Sequence, residues 1–170
     1  MAILSVVGND CDILVCMKKI LLFIGVPILI LVLMVWGKTA QNGALVMIEG
    51  TNVACLPNGH QQLAIHIHPV LTIVVDGESE VIPANIGIVG TCMAELHTHD
   101  TTGVIHVETA TQERFTQITF ADFFDVWGRS VEREGYDLEI RYDGAVVDTI
   151  IDVPLEDNGQ IELLYTSIEG

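Results

Sequence analysis

Hydrophobic and polar residues alternate along much of the chain after residue 43, and this period of two is typical of half-buried β-strands. The longest such segment, Leu63–Val75, is rich in β-branched residues and carries an apolar set on one face. His66 and His68 occupy the opposite face, because successive side chains of a strand alternate sides. Pro69 has no N–H to donate to a neighbouring strand and indicates an edge, a bulge or a break. The pattern predicts a strand that packs its apolar face on a core and presents two histidines.

The remaining pattern predicts a fold that is mainly β (α+β), an antiparallel β domain with one short helix. Thr119–Asp122 has the form of a helix capping box, and Gly128 suits the helix end. Aromatic residues at helical spacing between them are expected in the core: Phe120, Phe123, Phe124 and Trp127. Arg114–Ile118 is predicted as a strand just before this helix.

Three histidines lie in one segment, Cys92–Glu108 (CMAELHTHDTTGVIHVE), which predicts a strand, a tight loop and a returning strand. If the loop consists of the four residues DTTG, His97 lies directly opposite His106. Glu95 lies opposite Glu108 in the same register. Opposed residues on neighbouring strands point the same way, with Cβ atoms roughly 4.5–5.5 Å apart. The segment therefore predicts a cluster of imidazoles on one face of a hairpin.

Five of the six histidines fall between residues 66 and 106, each spaced two residues from another or opposed to one in the hairpin. Neutral imidazole suits copper, zinc, iron and nickel, whereas carboxylates alone favour calcium or magnesium. We therefore predict a metal site for a copper or zinc ion, with these candidate ligands: His66, His68, His97, His99, His106 and Glu108.

This set exceeds the usual number of protein ligands, so some members are expected to orient others through the second ring nitrogen. Glu95, Asp100 and Glu108 are candidates for the same supporting role. His60 lies among turn-forming residues and is expected to be exposed to solvent. The alternative for each histidine taken singly is an ordinary surface or core residue, so the prediction depends on their grouping.

Established motifs give little further guidance. The helical HExxH of zinc proteases is absent from the sequence. The first acid after His68 is Asp76, too distant for a cupin-like site. Cys92 and His97 faintly resemble part of a blue-copper pattern, but no methionine closely follows His97. The metal and its use are therefore not set by any motif.

Two cysteines, Cys55 and Cys92, belong to the β domain, whereas Cys11 and Cys16 lie in or beside the apolar head. An oxidising compartment permits a disulfide between the first two. The favoured interpretation is a disulfide or buried thiols, and the alternative is thiolate ligation of a metal. Cys92 precedes the histidine pair at 97 and 99 by an odd number of residues, so on a continuous strand it faces away from them.

An apolar segment precedes the domain. Ile20–Trp36 has no charged residue and is near the short end of the roughly 17–25 residues that span a bilayer. Lys18 and Lys19 precede it, and lysines favour the cytoplasmic side. A cleaved signal peptide is the alternative, but its apolar core usually runs about 7–15 residues and ends at small residues. The segment predicts an uncleaved, single-pass anchor in the cell membrane, with the C-terminal domain outside the cytoplasm.

The predicted organisation has four parts: a cytoplasmic N-terminus at residues 1–19, a single transmembrane helix at 20–36, a tether at 37–43 and an extracytoplasmic histidine-rich β domain at 44–170. Met17, directly before the lysine pair, is an alternative first residue of the protein.

The net charge of −16 is concentrated after the apolar segment. All acidic residues except Asp10 and Asp12, and all basic residues except Lys18 and Lys19, follow it. Such acidity repels phosphate backbones and anionic lipid surfaces, so nucleic acid is not expected as a partner. The charge either keeps the domain solvated or raises the local concentration of cations near a site.

Five motifs, HIH, VDG, IPANIGI, LHTHDTTGVIHVE and FADFFDVWG, lie between Cys55 and Gly128. In these motifs the chain resembles an uncharacterised family of membrane-anchored or secreted prokaryotic proteins with His-x-His, Leu-His-Thr-His-Asp and Ile-His-x-Glu signatures. The resemblance implies an intact domain and brings no activity with it. It also implies that the shared pattern includes the pair Cys55 and Cys92 together with His66, His68, His97, His99, His106 and Glu108.

Three functional hypotheses follow. The first is an anchored extracytoplasmic protein that binds copper or zinc in metal handling or delivery. The second is a metal-dependent enzyme in which three histidines leave an open position for water or oxygen, with Glu108 or Asp100 as general base. The third is an accessory subunit of a membrane complex, with a membrane protein as partner and histidines that serve stability alone.

Overall fold

The structure is a computed structural model that describes residues 45–168. The predicted N-terminus, membrane anchor and tether (residues 1–19, 20–36 and 37–43) lie outside this range. Within residues 45–168, no helix is both long and apolar enough to cross a bilayer. The described residues cover all but the ends of the predicted β domain.

Short strands dominate the described residues, so the domain is mainly β as predicted. The strands are β1 (Val46–Met47), β2 (Ala54–Cys55), β3 (Pro57–His60), β4 (Ile65–Ile67), β5 (Val70–Val75), β6 (Glu78–Glu80), β7 (Ile88–Val89), β8 (Cys92–Met93), β9 (Leu96–His97), β10 (His106–Thr109), β11 (Tyr136–Tyr142), β12 (Ala145–Val147) and β13 (Gln160–Ser167). The helical segments are α1 (Gln112–Phe115), α2 (Ala121–Trp127) and a 3-10 turn (Ile150–Asp152).

The largest sheet has the strand order β12-β11-β13-β5-β6. Its pairs are antiparallel except for β13 with β5, which is parallel. Parallel neighbours need a long crossover connection, and most of the domain lies between these two strands in the chain. Antiparallel pairing therefore predominates as predicted, and the exception joins strands that are distant in sequence.

The core lies against β5 and β13. Leu71 and Ile73 of β5 are buried, which confirms the apolar face predicted for this segment. Ile161 and Leu163 of β13 lie beside them and are also buried. The predicted aromatic cluster is part of the same core, with Phe120, Phe123 and Phe124 buried and Trp127 packed against them.

The strand predicted over Leu63–Val75 is interrupted at Pro69. The carbonyl of Pro69 accepts a hydrogen bond from the N–H of Ile105 at 2.9 Å, and the N–H of Val70 donates to the carbonyl of Gly159 at 2.8 Å. β4 and β5 consequently belong to different sheets. The proline thus marks a change of partner, which leaves β4 free to carry its histidine to another set of strands.

That second set is a three-stranded sheet with the order β4-β10-β9. His97 lies opposite His106 in the β9–β10 pair, as the hairpin register predicts. On the other side of β10, Glu108 lies opposite His66 of β4. This sheet brings together the two sequence segments that carry the predicted ligands.

The predicted helix is present as α2. The carboxylate of Asp122 accepts hydrogen bonds from the N–H of Thr119 at 2.6 Å and from its hydroxyl at 3.0 Å, and Gly128 ends the helix at φ 69°. The strand predicted over Arg114–Ile118 is wrong, because α1 occupies part of it. The Thr111 hydroxyl caps α1 by accepting from the N–H of Arg114. The described residues therefore contain more helix than the single element predicted.

Candidate metal centre

Six imidazoles converge at one end of the three-stranded sheet. Centroid separations between contacting rings run from 4.5 to 6.4 Å. The closest approach is between His99 and His106, and the ring of His97 stacks on that of His106 at 5.1 Å. Four of the histidines lie in β3, β4, β9 and β10, and the other two follow shortly after β4 and β9. The six are His60, His66, His68, His97, His99 and His106.

Each His-x-His pair places two Nε2 atoms face to face. The separation is 3.1 Å between His66 and His68 and 3.2 Å between His97 and His99. Two imidazole nitrogens on one tetrahedral zinc lie about 3.3 Å apart, given Zn–N bonds of about 2.0–2.1 Å. The same spacing lets one ring N–H donate to the other nitrogen when no ion is bound. Each pair therefore has the spacing that two ligands of one ion require.

Glu108 is the fully buried acid of this cluster. Its Oε1 lies 2.8 Å from Nδ1 of His60, 3.0 Å from Nε2 of His66 and 3.5 Å from Nδ1 of His106. Burying a carboxylate costs several kcal/mol unless it is paired or bound to a metal. Within residues 45–168, the ion-pair contacts of Glu108 are with imidazoles and include no lysine or arginine. This carboxylate therefore has no permanently charged partner in the described part of the chain.

Three groups of side chains in the cluster could hold a metal ion, since in each group one ligand atom per residue lies within 4.8 Å of the others. The ligand types are imidazole nitrogens and one carboxylate oxygen. The groups are His60 with His97 and His99, His66 with His68 and His106, and His97 with His106 and Glu108.

Burial keeps the inner imidazoles neutral. It lowers the pKa of His97 to about 4 and also lowers the pKa of His106. The Nδ1–H of His97 donates to the carbonyl of Ala94 at 2.8 Å, which leaves Nε2 unprotonated and facing His99. Metals bind neutral imidazole, and a hydrogen bond on the other ring nitrogen fixes the ligand tautomer. His97 thus has both the protonation state and the orientation of a metal ligand.

All six predicted ligands lie together in this cluster, but two of the predicted supporting acids do not. The carboxylate of Glu95 binds Nε of Arg114 at 2.9 Å and the N–H of Ala54 at 2.9 Å, because the chain bends at Glu95. Asp100 accepts hydrogen bonds from the hydroxyl of Thr102 and from its N–H, and these two bonds lower the pKa of Asp100. Neither acid orients a histidine.

Two members of the cluster escaped the sequence analysis. His60 is exposed, as predicted, yet its Nδ1 contacts Glu108, so it belongs to the site. Asp157 accepts from the backbone N–H of His68 at 2.9 Å, and its Oδ1 lies 3.3 Å from Nδ1 of the same ring. The one sequence feature that could have included His60 is that it is the only other histidine of the chain. No sequence feature links Asp157 to the cluster, since it lies in a turn far along the chain.

Cys55 and Cys92 form a disulfide that links β2 to β8, with their Cα atoms 5.2 Å apart. The favoured interpretation of these cysteines is therefore confirmed, and thiolate ligation is not available to them. The bond lies next to Ala54, whose N–H donates to Glu95. Cys55 also pairs with Ala94, whose carbonyl accepts a hydrogen bond from Nδ1 of His97, so the disulfide supports the strands next to the histidines.

Comparison of the chain with protein-family models, with curated proteins and with solved structures finds no match.

Proposed function

We propose that this chain is a membrane-anchored, extracytoplasmic protein that binds copper or zinc and acts in metal handling or delivery. The observation that carries the proposal is a cluster of six imidazoles, three of which contact a buried carboxylate that lacks a permanently charged partner in the described residues. A metal cation supplies the missing positive charge and uses the neutral nitrogens as ligands.

The donor set supports copper or zinc over harder ions. Imidazole nitrogens greatly outnumber carboxylate oxygens here, and imidazole suits copper and zinc, whereas calcium and magnesium take oxygen ligands. For a given nitrogen and oxygen site, affinity rises through the divalent first-row metals to copper and falls again at zinc. Copper(II) is therefore expected to bind more tightly than zinc.

The location rests on two observations. The lysine pair before Ile20–Trp36 favours an orientation with the β domain outside the cytoplasm. The disulfide between Cys55 and Cys92 is typical of proteins in oxidising compartments and rare in cytosolic ones. Both are consistent with an anchored domain that meets metal ions outside the cytoplasm.

Solvent access favours handling. The side chains of His60, His66 and His68 are 44%, 43% and 37% exposed, so the outer side of the cluster is open. An open site allows an ion to enter and leave. The same opening also supports the second candidate, a metal-dependent enzyme, because a group of three histidines leaves a fourth position for water or substrate.

Zinc and copper titration of the full-length chain tests the proposal. We expect His97→Ala to weaken binding by at least tenfold, because it removes a buried ligand whose tautomer is already fixed. Leu96→Ala is the matched control, since Leu96 is equally buried on the same strand but faces the core. It should destabilise the fold by about 2–5 kcal/mol and leave affinity per folded chain unchanged. Equal affinities for wild type and His97→Ala would contradict the proposal.

Metal exchange with a chromophoric chelator separates the two candidate functions. A handling protein should release its ion to the chelator within the time of the assay. An exchange-inert ion that also binds an added ligand such as azide would favour the enzyme instead.

A further inference from the structure

We propose that the cluster holds two metal ions bridged by Glu108, one bound by His60, His97 and His99 and the other by His66, His68 and His106. This inference rests on the proposed function. Its starting point is the number of donors, since six imidazoles and a carboxylate exceed what one zinc or copper ion takes from a protein.

The six histidines divide into two trios without a shared member. Each trio contains one complete His-x-His pair and one histidine from a separate strand. In both pairs the Nε2 atoms lie at the spacing of two ligands on one ion, 3.1 Å in one and 3.2 Å in the other. The structure therefore repeats the same local arrangement twice instead of adding spare imidazoles around one position.

The hydrogen bonds behind the rings repeat as well. His97 donates its Nδ1–H to the Ala94 carbonyl at 2.8 Å, and Nδ1 of His68 lies 3.3 Å from the Asp157 carboxylate. When Nδ1 carries the proton and donates it to an oxygen acceptor, Nε2 has a free lone pair and is the ligand atom. One ring of each pair has such an acceptor, so each trio has its own orienting partner.

Glu108 lies between the trios. Its Oε1 contacts His60 of the first trio at 2.8 Å and His66 of the second at 3.0 Å. A third possible ligand group joins Glu108 to one histidine from each trio, His97 and His106, whose rings stack at 5.1 Å. Paired metal ions in proteins lie about 3.5–4 Å apart. A carboxylate placed between two sets of imidazoles is suited to bridge such a pair and to reduce the repulsion between the ions.

The number of bound ions and their magnetic coupling test the inference on the full-length chain. We expect two zinc ions per chain by elemental analysis after gel filtration. Loading with copper(II) should also give two ions, and their coupling at about 3.5–4 Å should weaken the electron paramagnetic resonance signal well below that of two isolated ions.

Single-trio variants sharpen the test. His99→Ala in the first trio and His68→Ala in the second change side chains that are not fully buried, so the fold should persist. Each should lower the content to one ion per chain and restore a full single-ion copper signal. Asp76→Asn is the control, because that exposed carboxylate accepts from the N–H of Ser167, belongs to none of the possible ligand groups and should leave both readouts unchanged.

The outcomes separate the two proposals. Two coupled ions support the bridged pair. One ion per chain in the wild type, or two ions with full uncoupled signals, overturns the bridged pair and leaves the metal-binding function intact. No bound ion overturns both.

Discussion

Two buried glutamates on the same hairpin, Glu95 and Glu108, have opposite surroundings. They lie across from each other, with the N–H of Glu108 donating to the carbonyl of Glu95 at 2.8 Å, and they are 1% and 0% exposed. Glu95 binds the guanidinium of Arg114, with Nη2 at 2.7 Å, and the backbone N–H of Ala54. Glu108 meets only imidazoles among its ion-pair contacts in the described residues.

The difference separates a structural carboxylate from a functional one. Arg114 is always charged, so the Glu95 pair is complete in the protein alone. The ion-pair contacts of Glu108 in the described residues are imidazoles, and burial lowers the pKa of two inner rings of the cluster, His97 and His106. These two rings offer lone pairs and little positive charge. A buried acid next to such ligands is suited to a cation from solution.

Arg114→Met should produce the largest effect, because it leaves Glu95 as a buried charge without its partner. We expect the free energy of unfolding to fall by about 3–5 kcal/mol in a denaturant titration of the full-length chain. Arg141→Met is the control, since Arg141 pairs with Glu139 on an exposed surface and should cost less than about 1 kcal/mol. Similar small losses at both positions would show that the Glu95 pair is not structural.

Identical substitutions at the two glutamates test the comparison itself. Glu95→Gln should lower metal-free stability by about 1–3 kcal/mol and leave metal affinity unchanged, because Arg114 loses its charged partner. Glu108→Gln should leave metal-free stability equal or higher and weaken zinc affinity by about 10–100-fold. Chemical denaturation and zinc titration of both variants measure these effects. The reverse assignment, with affinity lost at Glu95, would contradict the account.

Glu80 is a third, partly exposed carboxylate that extends the comparison to pH. Arg129 and Arg133 bind it, and the hydrogen bond from Arg129 is the main cause of its lowered pKa. A lowered folded-state pKa gives stability that is present above the unfolded value of about 4.5 and is lost as pH falls through the folded value. Glu80→Gln should therefore cost about 1 kcal/mol at neutral pH. If Glu80→Gln is less stable than the wild type by the same amount in acid as at neutral pH, the ion pairs of Glu80 are not the cause of the loss.

Asp157, beside His68, should give the smallest effect. Asp157→Asn removes charge from an exposed carboxylate that supports a histidine from behind, so unfolding free energy should change by less than about 0.5 kcal/mol. Metal affinity should fall by no more than about tenfold. Parallel denaturation and zinc titration measure both, and a loss as large as that of Glu108→Gln would place Asp157 among the ligands.

The hairpin part of the site was predictable from the sequence. A period of two and a four-residue turn together place His97 opposite His106, as observed. The pairing of β4 with the other edge of β10 was not predictable from the sequence. The two strands are not joined by a tight turn, so no turn fixes which residues lie opposite each other. His60 arrives from a separate strand near β2, and strand alternation carries no information about such encounters.

Two predictions near Glu95 were wrong, and each failed at a short irregular element of the chain. Alternation places Glu95 on the histidine face, but the chain bends there and turns the carboxylate toward Arg114. Arg114 was expected in a strand, whereas α1 is a four-residue helix, too short for a periodic pattern to reveal. The buried ion pair of Glu95 and Arg114 joins this bend to this helix, so local sequence patterns could not predict it.

X-ray absorption spectroscopy of the zinc-loaded full-length chain tests the central claim most directly. We expect an inner coordination shell dominated by nitrogen at about 2.0–2.1 Å, with the outer-shell scattering of several imidazoles. A shell of oxygen alone, or one with sulfur at about 2.3 Å, would contradict it.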